Sequence, residues 1–137
     1  MKRSLFADGV PLALAFTLAF AASGCATHFD GDLRIDGAPF RPTYCLSRRT
    51  HNFGAVELGD DAGNRLRVGE NVDGTPGTVY FGPGQPIGTN LGPCGAVQVT
   101  GGFGRFSGVD NVDGRATFAC SAASPRVEGQ LAFENCH

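Results

Sequence analysis

The chain has 137 residues, a formal net charge of −2 and 18% charged residues, which suits a single globular domain. After the first 24 residues, nine arginines and no lysine stand against twelve carboxylates. This balance excludes nucleic acid as a partner, because phosphate binding requires an excess of clustered positive charge.

The first 24 residues have the features of an export signal. Lys2 and Arg3 form a basic start, and residues 10–22 form an apolar run that is too short to cross about 30 Å of hydrocarbon. Small residues follow at positions 22–24, where a peptidase needs access to the backbone. We therefore predict that residues 1–24 are a signal peptide that is cleaved.

Cys25 directly follows these small residues, and the segment resembles a bacterial lipobox. The resemblance implies that the thiol of Cys25 is diacylated, for example with palmitate, and that the chain is cut just before it. Ala22 departs from the pattern, since leucine is commonest at that position. The alternatives are an uncleaved anchor and a secretory signal whose Cys25 forms a disulfide.

Acyl chains on Cys25 would hold the mature chain at a membrane, because each buried methylene contributes about 0.8 kcal/mol. The predicted location is the cell envelope, at the outer face of the cell membrane. Ala26, rather than aspartate, follows Cys25. In a diderm host, resemblance to the lipoproteins of such bacteria implies the outer membrane. Residues 25–31 are predicted to be a short lipidated tether before a single domain at 32–137.

The other four cysteines predict two disulfides, because an even number of cysteines in a small exported chain oxidises in pairs. Four cysteines allow three pairings, and the sequence alone does not choose among them; we favour Cys45 with Cys136 and Cys94 with Cys120. A zinc site is the alternative, but no two of them have the C-x₂₋₄-C spacing. We predict neither a metal ion nor a cofactor.

The start of the domain is predicted to be extended. Residues 32–36 alternate apolar and charged side chains, which predicts a half-buried strand. Pro39 and Pro42 indicate the edge of a sheet, because proline lacks a ladder donor. Residues 48–51 are the most basic local run. We predict a solvated turn there, the alternative being a contact to phosphate or to an acidic glycan.

A hairpin is predicted from residues 53–58 and 64–69, which are two β-like runs joined by a turn rich in Gly and Asp. Asp60 and Asp61 in this turn raise the alternative of a calcium loop. The alternating acids and the distant glutamate of an EF-hand are missing, so we favour a plain turn.

The tetrapeptide Asn-Val-Asp-Gly occurs twice, at residues 71–74 and 111–114. Asp-Gly is a strong signal for a tight turn, because glycine tolerates the positive φ that such turns need. We therefore predict the same hairpin turn at both places.

Residues 82–93 are rich in glycine and proline, which predicts a long loop held at its end by Cys94. Loops carry binding residues more often than their share of the chain. Gln85, Pro86, Ile87 and Asn90 are therefore the candidate binding residues, and the alternative is a plain connector.

The C-terminal third has alternating runs that predict strands at 95–100, 103–107, 115–120 and 127–133. The side chains predicted to face one core are Val97, Val99, Ala116, Phe118, Val127, Leu131 and Phe133. No window of about eleven residues after the leader has a helical apolar stripe. The predicted fold class is all-β: a small antiparallel β-sandwich or half-open barrel with two disulfides.

The lipobox, the short tether, an early Ile-Asp-Gly strand at residues 35–37 and cysteines at 45 and 136 together resemble the LpqH-type lipoprotein antigens of mycobacteria. The resemblance implies a small β-sandwich-like domain, a bridge between Cys45 and Cys136, and a surface-antigen or carrier role without catalysis. Cys94 and Cys120 depart from that pattern.

No catalytic constellation stands out in the sequence. The histidines after the leader are His28, His51 and His137, and none has an acid at a spacing that would make it a base for a nucleophile. We therefore expect a lipid-anchored extracytoplasmic envelope or surface lipoprotein with an interaction or structural role. Its expected partners are the membrane, through the acyl chains on Cys25, and an envelope protein. The alternative is a carrier of a small apolar or glycan ligand.

Overall fold

A computed structural model describes residues 26–50, 53–70, 73–106 and 109–137 of the chain. The predicted signal peptide, Cys25 and His51 lie outside the described residues. Within them the chain forms strands and no helix, so no helix there is long and apolar enough to span a membrane. The strands are β1 (His28–Ile35), β2 (Ala38–Pro39), β3 (Tyr44–Thr50), β4 (Phe53–Gly59), β5 (Arg65–Glu70), β6 (Pro76–Phe81), β7 (Thr89–Gly92), β8 (Gly95–Phe106), β9 (Val109–Cys120) and β10 (Val127–Cys136).

The strands form two antiparallel sheets that pack as a sandwich. The first sheet has the order β2-β1-β10-β9-β8, and the second has the order β3-β4-β5-β6-β7. The predicted all-β sandwich is therefore confirmed, and the predicted hairpin is β4 and β5, with Glu57 opposite Arg67. Pro39 lies in the edge strand β2, as its missing N–H donor predicted.

The core lies between the two sheets, where alternate side chains point inward. Ala116, Phe118, Val127, Leu131 and Phe133 are buried there, as predicted. They pack with buried side chains of the second sheet, which include Val56, Leu58, Leu66 and Val68.

The prediction for Val99 was wrong, because its side chain is 43% exposed. The register between β8 and β9 shifts directly after Val99 and again after Gly101. Val97, which lies before these bulges, packs against the core as predicted. The bulges join the two strands predicted at 95–100 and 103–107 into one long strand, β8.

The two Asn-Val-Asp-Gly copies differ where the structure describes them; Asn71 and Val72 of the first copy lie outside the described residues. Gly74 has a φ of 80° in the connection between β5 and β6, as predicted for a turn. There the amide and hydroxyl of Thr75 donate to Asp73, and these bonds lower the pKa of the Asp73 carboxyl. The second copy lies inside β9, so its predicted turn was wrong. Gly114 is needed there because a Cβ would lie 2.7 Å from the Phe133 ring.

Strand β1 begins at His28, inside the segment that was predicted to be a tether. Residues 28–31 pair with the end of β10, and the hydroxyl of Thr27 donates to the carbonyl of Asn135 at 3.1 Å. Cross-strand pairing thus extends the strand over a stretch whose sequence looked polar and irregular. Ala26 and Thr27 are the two residues between Cys25 and β1.

Both favoured disulfides are present. Cys45 on β3 bonds to Cys136 at the end of β10 and thereby joins the two sheets. Cys94, just before β8, bonds to Cys120 at the end of β9.

Strand β3 differs from the prediction at its end. Arg48 and Arg49 belong to β3 and not to a turn. This strand lengthens because it pairs with β4 along its whole length, from Tyr44 to Thr50.

Candidate functional site

The outer face of the second sheet carries a cluster of charged and aromatic side chains, which we call the arginine site: Glu57, Arg65, Arg67 and Phe81. Cross-strand pairing sets Glu57 beside Arg67 and sets Arg65 beside Phe81. Their neighbours along the strands, such as Leu58 and Leu66, point into the core, so the four side chains point outward.

Glu57 is 3% exposed although it lies on the outer face. Arg67 holds one of its oxygens through Nη2 at 2.8 Å and Nε at 3.3 Å, and Arg65 Nη1 lies 3.6 Å from the other oxygen. A buried carboxylate is tolerated when it is paired in this way. Since two guanidiniums share one carboxylate, the cluster has an excess of one positive charge.

Phe81 supports both arginines. The guanidinium carbons of Arg65 and Arg67 lie 4.4 Å and 5.1 Å from the centre of its ring, within cation–π distance. The side chains of Arg65 and Arg67 remain 31% and 38% exposed. The guanidiniums are thus held in position from below while part of each faces solvent.

The loop at residues 82–88 borders the arginine site. Its first turn is closed by the amide of Gln85, which donates to the carbonyl of Gly82 at 3.0 Å. Arg65 Nη2 donates to the carbonyl of Gln85 at 3.2 Å. Gly88 packs so tightly on Val79 and Phe81 that a Cβ there would overlap both side chains.

The structure separates the four candidate binding residues. Gln85, Pro86 and Ile87 lie in the loop beside Arg65, and Ile87 is 83% exposed at its tip. Asn90 instead lies in β7, where its side chain accepts a hydrogen bond from the amide of Gly92 at 2.8 Å. The prediction of one loop over 82–93 was therefore wrong for residues 89–92, which pair with β6.

Sequence reasoning missed the arginine site itself. The signal was present, because the Arg-x-Arg alternation in β5 puts Arg65 and Arg67 on one face. Glu57 then lies opposite Arg67 once the hairpin register is known. The predicted hairpin contained both strands, but the alternation within each strand does not give the register between them.

The turn between β4 and β5 packs beside the loop at residues 82–88. Asn64 donates to Asp60 at 2.9 Å and accepts from the Tyr80 hydroxyl at 2.8 Å. Gly63 in this turn approaches Pro83 of the loop. Burial, and secondarily the negative charges of Asp60 and Asp36, raises the pKa of Tyr80 above 10.0.

Replacing Tyr80 with phenylalanine is expected to lower the free energy of unfolding by about 1 kcal/mol, since Asn64 loses a donor. Because the pKa of Tyr80 is raised in the folded state, wild-type stability should fall as the pH rises above 10.0, where the unfolded chain releases this proton first. Urea unfolding at neutral and alkaline pH measures both effects. An equally steep alkaline loss in Tyr80→Phe would contradict this assignment.

A second feature is an open cleft of about 510 Å³ along β1 and the segment after β2. Its lining combines apolar and charged side chains, including Phe29, Leu33, Phe40, Asp32, Arg34 and Arg41. The cleft lies beside the first sheet and is separate from the residues of the arginine site.

Metal-ligating side chains do not converge in the described part of the chain, where no group of three or more His, Cys, Asp or Glu could hold an ion. His137 Nδ1 lies 2.7 Å from the side-chain oxygen of Asn111. The arginine site can therefore offer guanidinium donors to an anion, and the cleft can offer mixed polar and apolar contacts. No family model, curated protein or solved structure matches this chain.

Proposed function

We propose that this protein is a lipid-anchored extracytoplasmic lipoprotein of the cell envelope that acts through binding or structural contact, without catalysis. The observation that carries the proposal is the pairing of the cysteines in disulfides. Four of the five are bonded to each other in two disulfides, so Cys25 has no other cysteine in its own chain to pair with. This favours acylation of Cys25 over the alternative of an intramolecular disulfide.

The two disulfides also support an extracytoplasmic location. Disulfides form and persist in oxidising compartments and are rare in a reducing cytosol. The bridge between Cys45 and Cys136 is buried, with both residues no more than 1% exposed. This pattern agrees with the export signal expected from Lys2, Arg3 and the apolar run that follows them.

The position of β1 gives the proposal a geometric consequence. The Cα atoms of Cys25 and His28 are at most about 11 Å apart even when the chain is extended, so an acylated Cys25 would hold the sandwich against the membrane surface. The first sheet would meet the membrane at the end where β1 begins and β10 ends. The loops at its opposite end would then face away from the lipid.

Metabolic labelling with a radioactive fatty acid tests the anchor. The wild-type protein is expected to incorporate label and to sediment with membranes, whereas Cys25→Ser should do neither. The matched control is Cys94→Ser with Cys120→Ser, which removes two other cysteines, bonded to each other, and should keep the label. Equal labelling of the wild type and Cys25→Ser would exclude the proposal. In a diderm host the label should appear in the outer membrane.

The second candidate function is a small-ligand carrier, and the cleft of about 510 Å³ favours it, because ligand sites commonly have this size. Aromatic and charged residues together, such as Phe29, Phe40 and Arg41, suit a ligand with apolar and polar faces. A native mass spectrum of protein purified from its own host tests this function. A co-purified mass would support the carrier, and its absence would argue against it.

A further inference from the structure

We propose that the arginine site and Ile87 together form a docking site for an acidic peptide segment of a partner protein, one in which a carboxylate stands next to an apolar side chain. This inference rests on the proposed function, because it names the chemistry of the partner that an interaction lipoprotein would bind.

The arginine site has an excess of positive charge, because two guanidiniums share one carboxylate. Arg67 uses Nε and Nη2 for Glu57, and Arg65 uses Nη1 for Glu57 and Nη2 for Gln85. The remaining N–H groups of both side chains have no acceptor among the residues that the structure describes. A planar guanidinium fork matches a carboxylate in charge and in geometry.

Among the residues that the structure describes, no acid other than Glu57 forms an ion pair with Arg65 or Arg67. Asp60 is held by the amide and side chain of Asn64 at 2.8 Å and 2.9 Å. Asp61 accepts from the hydroxyl of Thr43 at 2.8 Å. An incoming carboxylate is therefore the complement that the arginines lack.

Ile87 provides an apolar contact for a partner, because it is 83% exposed. It lies two residues after Gln85, whose carbonyl is bound by Arg65, so the aliphatic side chain is on the loop that borders the arginine site. An exposed aliphatic side chain next to a guanidinium suits another protein better than a glycan, because a peptide can present an apolar and an acidic side chain side by side.

The position of the arginine site follows from the contact between β3 and β10. His137 donates to the carbonyl of Cys45 and accepts from the amide of Ser47, so β3 and the end of β10 run in the same direction. The start of β3 therefore lies beside the end where β10 finishes, as the bond between Cys45 and Cys136 also requires.

The arginine site lies on a row of cross-strand pairs that begins next to Cys45. Pairing aligns Tyr44, Gly59, Arg65 and Phe81 in this row. The loop at residues 82–88 continues from it. Binding to vesicles therefore tests whether lipid, rather than a peptide, occupies the site.

Selection of peptides from a random phage-displayed library on the acylated protein in detergent tests the proposal. The enriched peptides are expected to carry Asp or Glu beside a large apolar residue. Synthetic copies should bind Arg65→Gln at least about 10-fold more weakly than the wild type, and Ile87→Ser several-fold more weakly. Arg126→Gln is the matched control: it removes one exposed arginine elsewhere and should bind like the wild type.

Arg65→Gln leaves Arg67 bonded to Glu57, so the buried carboxylate keeps its closer partner. If this variant still fails to fold, the peptide affinity of Ile87→Ser alone tests the proposal. An exposed side chain such as Ile87 can be replaced without loss of packing. Enrichment without acidic residues, or equal binding by the wild type and the folded variants, would overturn the proposal. Binding to phosphatidylglycerol vesicles that Arg65→Gln abolishes would assign the site to lipid and overturn it too.

Fatty-acid labelling of the same samples separates the two proposals. Label on Cys25 together with failed selection rejects the peptide site and leaves the anchor standing. Enrichment of acidic peptides by a protein without label rejects the anchor and leaves the peptide site standing.

Discussion

Replacing Cys45 and Cys136 together with alanine is expected to lower the free energy of unfolding by about 4.5 kcal/mol. The two cysteines are separated by 91 residues, so their bond closes most of the domain into one loop. In the chain-entropy account, a cross-link stabilises by reducing the freedom of the unfolded chain, and the effect grows with the length of the loop. Both residues are also buried, so the alanines leave a small cavity.

Urea unfolding of this double variant measures the loss. The matched control is Cys94→Ala with Cys120→Ala, whose separation of 26 residues predicts a smaller loss of about 3.5 kcal/mol. A larger effect in the control would show that loop length does not decide these contributions. An unchanged denaturation midpoint in the Cys45 and Cys136 variant would show that this bridge is not formed in solution.

Replacing Gly129 with alanine is expected to lower the free energy of unfolding by about 4 kcal/mol, or to prevent folding. Gly129 has a φ of 122°, which side chains other than glycine rarely adopt. A Cβ there would also overlap the carbonyl oxygen of Asp32 on the neighbouring strand β1. The cost therefore combines backbone strain with a clash against backbone atoms that cannot move aside.

Gly37→Ala is the control that separates these two costs. Gly37 has a φ of 83°, but a Cβ there would meet nothing within 4 Å. We expect it to lose about 1 to 2 kcal/mol from strain alone. Equal losses in the two variants, compared by thermal and urea unfolding, would contradict the close approach of β1 and β10 at Gly129. That pairing begins at His28, three residues after the proposed anchor, so Gly129 also bears on how the domain is held.

The fold could be predicted from residues whose alternation is regular. Phe118, Leu131 and Phe133 have the period of two that makes one face of a strand apolar, and they are buried. The structure differs from the prediction where pairing with another strand overrides the local sequence pattern. Residues 28–31 look irregular alone but pair with β10, and the second Asn-Val-Asp-Gly copy is extended because Gly114 fits beneath the Phe133 ring.

The candidate site was predictable only in part, for a similar reason. Turn residues such as Pro86 predicted the loop, because local composition alone indicates a turn. The arginine site depends on register, because Glu57 becomes a shared partner only when β4 and β5 are aligned. Composition also could not show that the loop packs on Phe81, which requires the close contact of Gly88.

The mass of the intact mature protein, extracted in detergent from its own host, tests the central claim most directly. The proposal predicts a chain that begins at Cys25, carries acyl chains on that residue, and has its other four cysteines oxidised in two bonds. Fragmentation should assign the added mass to the first residue. A chain in which Cys25 carries no lipid, or in which it is bonded to another thiol, would contradict the anchor and the envelope role built on it.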